Sequence, residues 1–248
     1  MGDFDERCVI VTGGASGFGK AMSETFAAAG ASVVVADLNL DGARAIASSL
    51  PKAIAVQIDV ADEAQNEALA AAAMEAYGRI DVVCANAGIP HRVQPAIEMS
   101  TEEFDRIFAI NTRSVFLAAK YCAPHMGDGS SIVATSSIGA KRPRPGLAAY
   151  YAAKGAVLTL TQALAVELAP KTRVNAVLPV SAPTGFDLNA VGVPELPEEA
   201  NAQVIAGIPM GRRATPDDVA DATYFLASDQ ARFLTGVCLD VDGGRAIQ

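Results

Sequence analysis

Seven short runs of apolar, largely β-branched residues, separated by alanine-rich stretches, constrain this chain more than any other feature. The runs cover residues 8–11, 32–36, 53–58, 80–84, 131–135, 173–176 and 237–241. Each is nearly continuous in apolar side chains, as a strand buried on both faces must be. Helices are predicted near 18–29, 41–49, 62–77, 101–123, 150–169 and 216–227. Ser100 with Glu103 predicts a capping box, and Thr215-Pro216 places proline at a first helical position. Strand–helix alternation with right-handed crossovers predicts one α/β domain, a doubly wound seven-stranded parallel sheet with helices on both faces. One stretch breaks the rhythm. Residues 180–209 carry Pro183, Pro194, Pro197 and Pro209, with Glu195, Glu198 and Glu199. A long irregular insertion of this kind reads as a lid over a site.

The first run leads straight into Thr12-Gly13-Gly14-Ala15-Ser16-Gly17-Phe18-Gly19, and a helical stretch follows. Glycines permit a tight turn and a close backbone approach, and a helix N-terminus offers N–H donors and partial positive charge to a pyrophosphate. In this position the turn predicts a dinucleotide-binding Rossmann fold. Asp37 ends the second run. An acid there accepts hydrogen bonds from the ribose hydroxyls of an adenosine and repels a 2′-phosphate, at about 4 kcal/mol for unit charges ~4 Å apart at an effective dielectric near 20. Neighbouring Leu38 and Gly14 supply no cation to reverse this, so NAD is expected over NADP.

Composition narrows the classes. The net charge is −9, from 19 basic and 28 acidic residues, which argues against a nucleic-acid surface. The four cysteines, Cys8, Cys84, Cys122 and Cys238, show no paired spacing and read as reduced core residues. Two histidines without CxxC or HExxH leave little for a metal site, and none is expected. The opening Met1-Gly2-Asp3-Phe4-Asp5-Glu6 is acidic where a signal peptide is basic, and Glu6 stands where myristoylation of Gly2 wants Ser or Thr. No apolar run approaches the ~20 residues of a membrane helix. The expectation is a soluble cytoplasmic protein without nucleic-acid or membrane partners.

Tyr150 and Lys154 stand four apart on one helical face, and Ser137 lies thirteen residues before Tyr150. An ammonium beside a phenol favours its ionised form and brings it toward the range of a general base. With the glycine turn, Asp37, Asn86-Ala87-Gly88 after the fourth run and Asn111, this order resembles the short-chain dehydrogenase/reductase family over nearly the whole chain. The resemblance implies a general acid/base in Tyr150, with Ser137 positioning the substrate oxygen. Lys154 would lower the tyrosine pKa and hold the nicotinamide ribose, and Asn111 would anchor a water that links Lys154 to solvent. Tyr151 does not fit the YxxxK spacing. Gly13, Ser16, Gly17, Phe18 and Gly19 would hold the pyrophosphate. Asp37 and Leu38 would meet the adenosine ribose, and Asp59 with Val60 the adenine. Asn86, Ala87 and Gly88 would line the cofactor, Thr184 would meet the carboxamide, and Pro179 and the backbone of Ala182 would contact the cofactor beside the nicotinamide. The chain departs from the family at Ala85, where Asn is usual, and at Val180, where Gly is usual. A β-branched residue disfavours positive φ, so the loop after Pro179 is expected to take a different path.

Specificity is expected from residues 89–94, 138–147 and 183–209. Lys141, Arg142 and Arg144 form a basic cluster that either binds an acid group of the substrate or is a solvated or intersubunit loop. His91 is a second candidate, and Phe186, Leu188, Val191 and Val193 suggest an apolar cover. The resemblance implies a homotetramer. The leading expectation is NAD(H)-dependent interconversion of a small or medium secondary alcohol and a ketone. The rivals are a 3-oxoacyl-thioester reductase and a non-catalytic dinucleotide sensor on the same fold.

Overall fold

In the computed structural model, which describes residues 3–248, the apolar runs become strands because alternate side chains enter two separate cores. In β1 (Cys8–Thr12) and β2 (Ser32–Asp37), Cys8, Ile10, Val34 and Ala36 join one core, while Val9, Val11, Val33 and Val35 join the other. That is the period of two of a strand covered on both faces. The first core is closed by α3 (Glu63–Tyr77), α5 (Ser114–Cys122) and α6 (Ala148–Leu168). The second is closed by α1 (Gly17–Ala28), α2 (Leu40–Ser49) and α9 (Pro216–Ala227). With β3 (Ala53–Gln57), β4 (Ile80–Ala85), β5 (Met126–Thr135), β6 (Thr172–Pro179) and β7 (Cys238–Val241), the sheet runs β3-β2-β1-β4-β5-β6-β7, parallel throughout. The strand order reverses between β1 and β4, where a crevice opens at the carboxyl ends of an open α/β sheet.

Three local departures bear on the site. Periodicity predicts one helix over 101–123, but α4 (Thr101–Phe108) passes through a π-turn at Ala109–Arg113 before α5. The Asn111 amide takes the Ile107 carbonyl at 2.9 Å, and a π-turn re-aims side chains around such a point. The stretch 180–209 is not irregular throughout. It contains α7 (Phe186–Val191), ended by Gly192 at φ 83°, and α8 (Glu198–Ala206), which begins after Pro197. Val180 keeps a negative φ and donates to the Val241 carbonyl at 3.1 Å, so it lengthens the β6–β7 pairing instead of turning.

The start signals hold in part. Thr215 and Asp218 form a reciprocal capping box with Pro216 at the first turn. Ser100 accepts from the Glu103 N–H, but Glu103 itself pairs with Arg106 at 2.7 Å. All four cysteines are free thiols. Among the described residues, no helix is long and apolar enough to cross a membrane and no cluster suits a metal ion. Met1 and Gly2, read above for processing signals, lie outside those residues.

A charge inside the sheet has a structural task. Arg173 on β6 is buried and donates to the carbonyls of Leu226, Ala227 and Ser228 at 2.6–3.2 Å, the acceptors at the end of α9. These carbonyls are buried, and a cation there satisfies them and the negative helix end. Arg173→Met is expected to cost about 2–4 kcal/mol, by stranding those carbonyls. Equilibrium denaturation checks this, and a loss below about 0.5 kcal/mol would contradict it.

Candidate active site

The carboxyl ends of the central strands are tied by one hydroxyl. Thr12 Oγ1 accepts from the backbone N–H groups of Asn86 and Ala87 at 3.0 and 3.1 Å and donates to the Cys84 carbonyl at 3.4 Å. Asn86 donates to the Thr12 carbonyl at 2.9 Å and accepts from Thr135 at 3.2 Å. β1, β4 and β5 are thereby held in one plane at the crevice floor. Directly after Thr12, Gly13 turns at φ 67°. A Cβ on Gly19 would lie 2.0 Å from the Gly13 carbonyl, so α1 packs against the turn only because Gly19 has no side chain. The side chain of N-cap Ser16 makes no capping bond, and the first turn of α1 carries no acid. The N–H groups of that helix end are left for an anion.

A cavity of about 780 Å³ runs along this edge. Its wall contains Gly13, Ser16, Gly17, Phe18, Asp37, Leu38, Asp59, Val60, Asn86, Ala87 and Gly88. Ser137, Tyr150, Lys154, Pro179 and Thr184 complete the expected set on the wall. Three expected residues lie behind it. Gly19 is packed beneath Gly13. Ala182 is buried with its carbonyl committed to Arg213 and to the Thr184 N–H, both at 2.9 Å. Asn111 is wholly buried behind Gly88. Asp37 is held in place, accepting from the Ala15 N–H at 3.0 Å and the Asn39 N–H at 2.9 Å. One further lone pair on each carboxylate oxygen remains for a ribose. The glycine cradle, the uncapped helix end and the fixed acid at the far end suit a dinucleotide.

At the other end, α6 presents Tyr150 and Lys154 from successive turns, both buried. Lys154 Nζ lies 6.0 Å from the Tyr150 ring centroid and donates to the Thr135 carbonyl at 2.7 Å. The ammonium is therefore turned to the sheet end and is not seated on the phenol oxygen. Burial pushes the phenol well above the ordinary tyrosine range, and a hydrogen bond from Ser137 opposes this. Burial pushes Lys154 down to about 8. Among the protein's own groups, burial and the Ser137 hydrogen bond act on the phenol in opposite directions. The Asn111 amide donates to the carbonyls of Ile89 and Ile107 and accepts from the Ile89 N–H. A Cβ on Gly88 would lie 2.7 Å from Asn111 Oδ1 and 2.9 Å from Lys154 Nζ. Gly88 is therefore what lets the two converge.

Around this centre the specificity segments separate. Phe186 packs edge-on to Tyr150 at 5.3 Å, and Leu196, Val204 and Ile208 join it on the wall. Leu188 and Val191 are instead exposed. His91 is buried off the wall, with Nδ1 2.7 Å from the Arg92 carbonyl. Lys141 pairs with Asp240 at 2.6 Å, while Arg142 and Arg144 line the cavity. Wall residues that the sequence does not mark include Thr135, Ser136, Arg245 and Tyr151. Arg245 follows the last strand with no motif to mark it. Tyr151 was set aside on YxxxK spacing, which says nothing about its use as a wall.

The family model described as Enoyl-(Acyl carrier protein) reductase matches residues 13–246. The 4-formylbenzenesulfonate dehydrogenase TsaC1/TsaC2 of Comamonas testosteroni is 42% identical over 99% of this chain and all of its own. The meso-2,3-butanediol dehydrogenase of Serratia marcescens is 37% identical over 97% of this chain and 95% of its own. Among solved structures, the 3-ketoacyl-(acyl-carrier-protein) reductase of Brucella melitensis complexed with NADH superposes with a TM-score of 0.91 at 41% identity, covering 98% of this chain and 99% of the other. Similarity of this extent over the full sheet and cleft leaves one assignment: the chain belongs to the short-chain dehydrogenase/reductase family of oxidoreductases.

Proposed function

We propose that this enzyme interconverts a secondary alcohol and a ketone with NAD(H), and that Tyr150 carries the proton. The observation that carries the reading is the convergence of Ser137, Tyr150 and Lys154 on one cavity with the glycine cradle and Asp37. When bound, NAD(H) supplies or accepts the hydride. Tyr150 gives a proton to the ketone oxygen in one direction and takes it from the alcohol in the other. Ser137 holds the same oxygen and lowers the phenol against the effect of burial. Lys154, low enough to titrate in the working range, exchanges protons behind Tyr150, positioned by the Thr135 carbonyl, with Asn111 on the other side of the space that Gly88 leaves open. Residues 180–209 act as a substrate lid, supported by Phe186 against Tyr150 and by Arg213 pairing with Asp187 at 2.7 Å to pin α7.

A homotetramer is proposed from the family and from side chains left in solvent on α5, α6 and near the C-terminus, namely Phe116, Val166, Phe233 and Ile247. A cytoplasmic location fits the four unpaired thiols. A second reading, reduction of a 3-oxoacyl thioester, is favoured by the name of the Brucella relative. That relative was solved with NADH, so Asp37 does not separate the two readings.

A panel of secondary alcohols, ketones and acetoacetyl thioester, followed by NADH absorbance in both directions, tests the proposal. Turnover of simple alcohols and ketones is expected. Turnover of the thioester alone would favour the second reading, and NADH binding without any turnover would favour a sensor. On the same assay NAD is expected to exceed NADP in kcat/KM by at least about a hundredfold, from the charge penalty at Asp37; equal values would refute the role of Asp37. Lys154 gives a pH test of the folded state. Its pKa falls on folding, to about 8, so the unfolded chain holds the extra proton above that pH and stability rises with pH. Between pH ~8 and ~10, wild type is expected to gain on Lys154→Met by up to about 1.4 kcal/mol per pH unit in denaturation experiments. A difference independent of pH would contradict it.

A further inference from the structure

The cavity that holds Tyr150 also holds three guanidinium groups, those of Arg142, Arg144 and Arg245. Among the described residues neither Arg144 nor Arg245 has a carboxylate partner, while Arg142 donates to the main-chain oxygen of Gln248, Lys141 pairs with Asp240 and Arg213 pairs with Asp187. The three also repel one another. Burial first, then the charges of Arg144 and Arg142, push Arg245 below the ordinary arginine range. Like charges such as Arg144 and Arg245, kept together at a cleft without a carboxylate between them, are costly unless an anion joins them.

The group is built and braced. Arg142 donates to the carbonyl of Arg245 at 2.8 Å and to that of Gln248. Arg245 donates to the Gly207 carbonyl at 2.8 Å, and a Cβ on Gly207 would lie 2.3 Å from its guanidinium, so a glycine makes room for it. Arg144 stands between Pro143 and Pro145, whose rings restrict the backbone on both sides. The following Gly146 accepts from the Gln94 N–H at 3.1 Å, and the Val93 N–H donates to Ala190 of α7 at 3.0 Å. The rim that carries Arg144 is thus stitched to the lid helix. Arg144 keeps its own guanidinium exposed and free to turn toward a ligand.

Between this rim and the reacting centre the wall is aromatic. The Tyr151 ring stands 5.6 Å from that of Tyr150, edge-on, and Phe186 flanks Tyr150 on another side. A Cβ on Gly139 would lie 2.1 Å from the Tyr151 ring, so this wall exists only because residue 139 is glycine. The charge of Arg144 acts on the Tyr151 phenol, which places the cation next along the same wall.

We propose that the substrate is a ring-bearing alcohol or ketone with a carboxylate or sulfonate remote from the reacting carbon. Tyr151 and Phe186 receive the ring, and Arg144, backed by Arg245 and Arg142, receives the anion. Planar guanidinium groups suit a two-oxygen face of either acid, and such charge-assisted bonds are among the strong ones. This deepens the oxidoreductase reading above and rests on it.

The test compares 4-acetylbenzoate, 4-acetylbenzenesulfonate and the neutral 4-acetylbenzamide as ketone substrates with NADH, using wild type, Arg144→Gln and Arg245→Gln. In wild type, kcat/KM for at least one anion is expected to exceed that for the amide by about tenfold or more. In Arg144→Gln the anion-to-amide ratio is expected to fall toward unity, with a thermal midpoint like that of wild type. Equal use of amide and anions by wild type, or an unchanged ratio in both variants, overturns the proposal. If none of these ketones is reduced, the panel of alcohols, ketones and thioester above decides the oxidoreductase reading, and calorimetry of 4-acetylbenzoate with the NADH-loaded protein decides the anion site separately. Binding lost in Arg144→Gln supports the site, and no binding by wild type overturns it.

Discussion

Every feature of the cleft depends on the Thr12–Asn86 clasp. Parallel strands end together at one edge, and the backbone groups there have no further ladder to join. Thr12 Oγ1 takes two N–H groups of the segment after β4, and Asn86 returns a bond to the Thr12 carbonyl while accepting from Thr135. This fixes the glycine turn relative to Gly88, and Thr135 in turn offers its carbonyl to Lys154. The cofactor end and the reacting end are therefore set by one small polar network, largely shielded from water. Such networks are strong when fully satisfied and costly when broken.

Lys154 and Tyr150 illustrate how burial works at the other end of that network. Both side chains are nearly inaccessible, and burial drives both toward their neutral forms. For the lysine this brings titration near the working range. For the tyrosine it does the reverse, so the Ser137 hydroxyl matters for charge as well as for position. Buried titratable groups at a cleft are the usual signature of a reacting centre. The remaining lone pair of Asn111 Oδ1, close to Lys154 Nζ across Gly88, fits a relay at the back of the site.

Much of this was legible in the sequence, for identifiable reasons. The strands were readable because two-sided burial leaves unbroken apolar runs, and the Tyr150–Lys154 face follows from helical spacing alone. Asp37 was readable because it ends a strand one crossover after a glycine turn. The π-turn at Asn111 was not, because the apolar period runs through 101–123 without interruption and the break arises from bonds to Ile89 and Ile107. Helices α7 and α8 were hidden by the prolines around them. Arg245 was invisible because only the folded chain brings the segment after β7 beside Gly207. The setting of Ala182 was not legible either, because its carbonyl accepts from Arg213, 31 residues further on, and only the folded chain brings the two together.

The central claim is that the Tyr150 phenol moves the proton in a site that binds dinucleotide independently of it. Tyr150→Phe measures this most directly, because it removes one oxygen and keeps the ring against Tyr151 and Phe186. The account predicts a fall in kcat of at least about a hundredfold with NADH affinity close to wild type. Turnover near the wild-type value would contradict it.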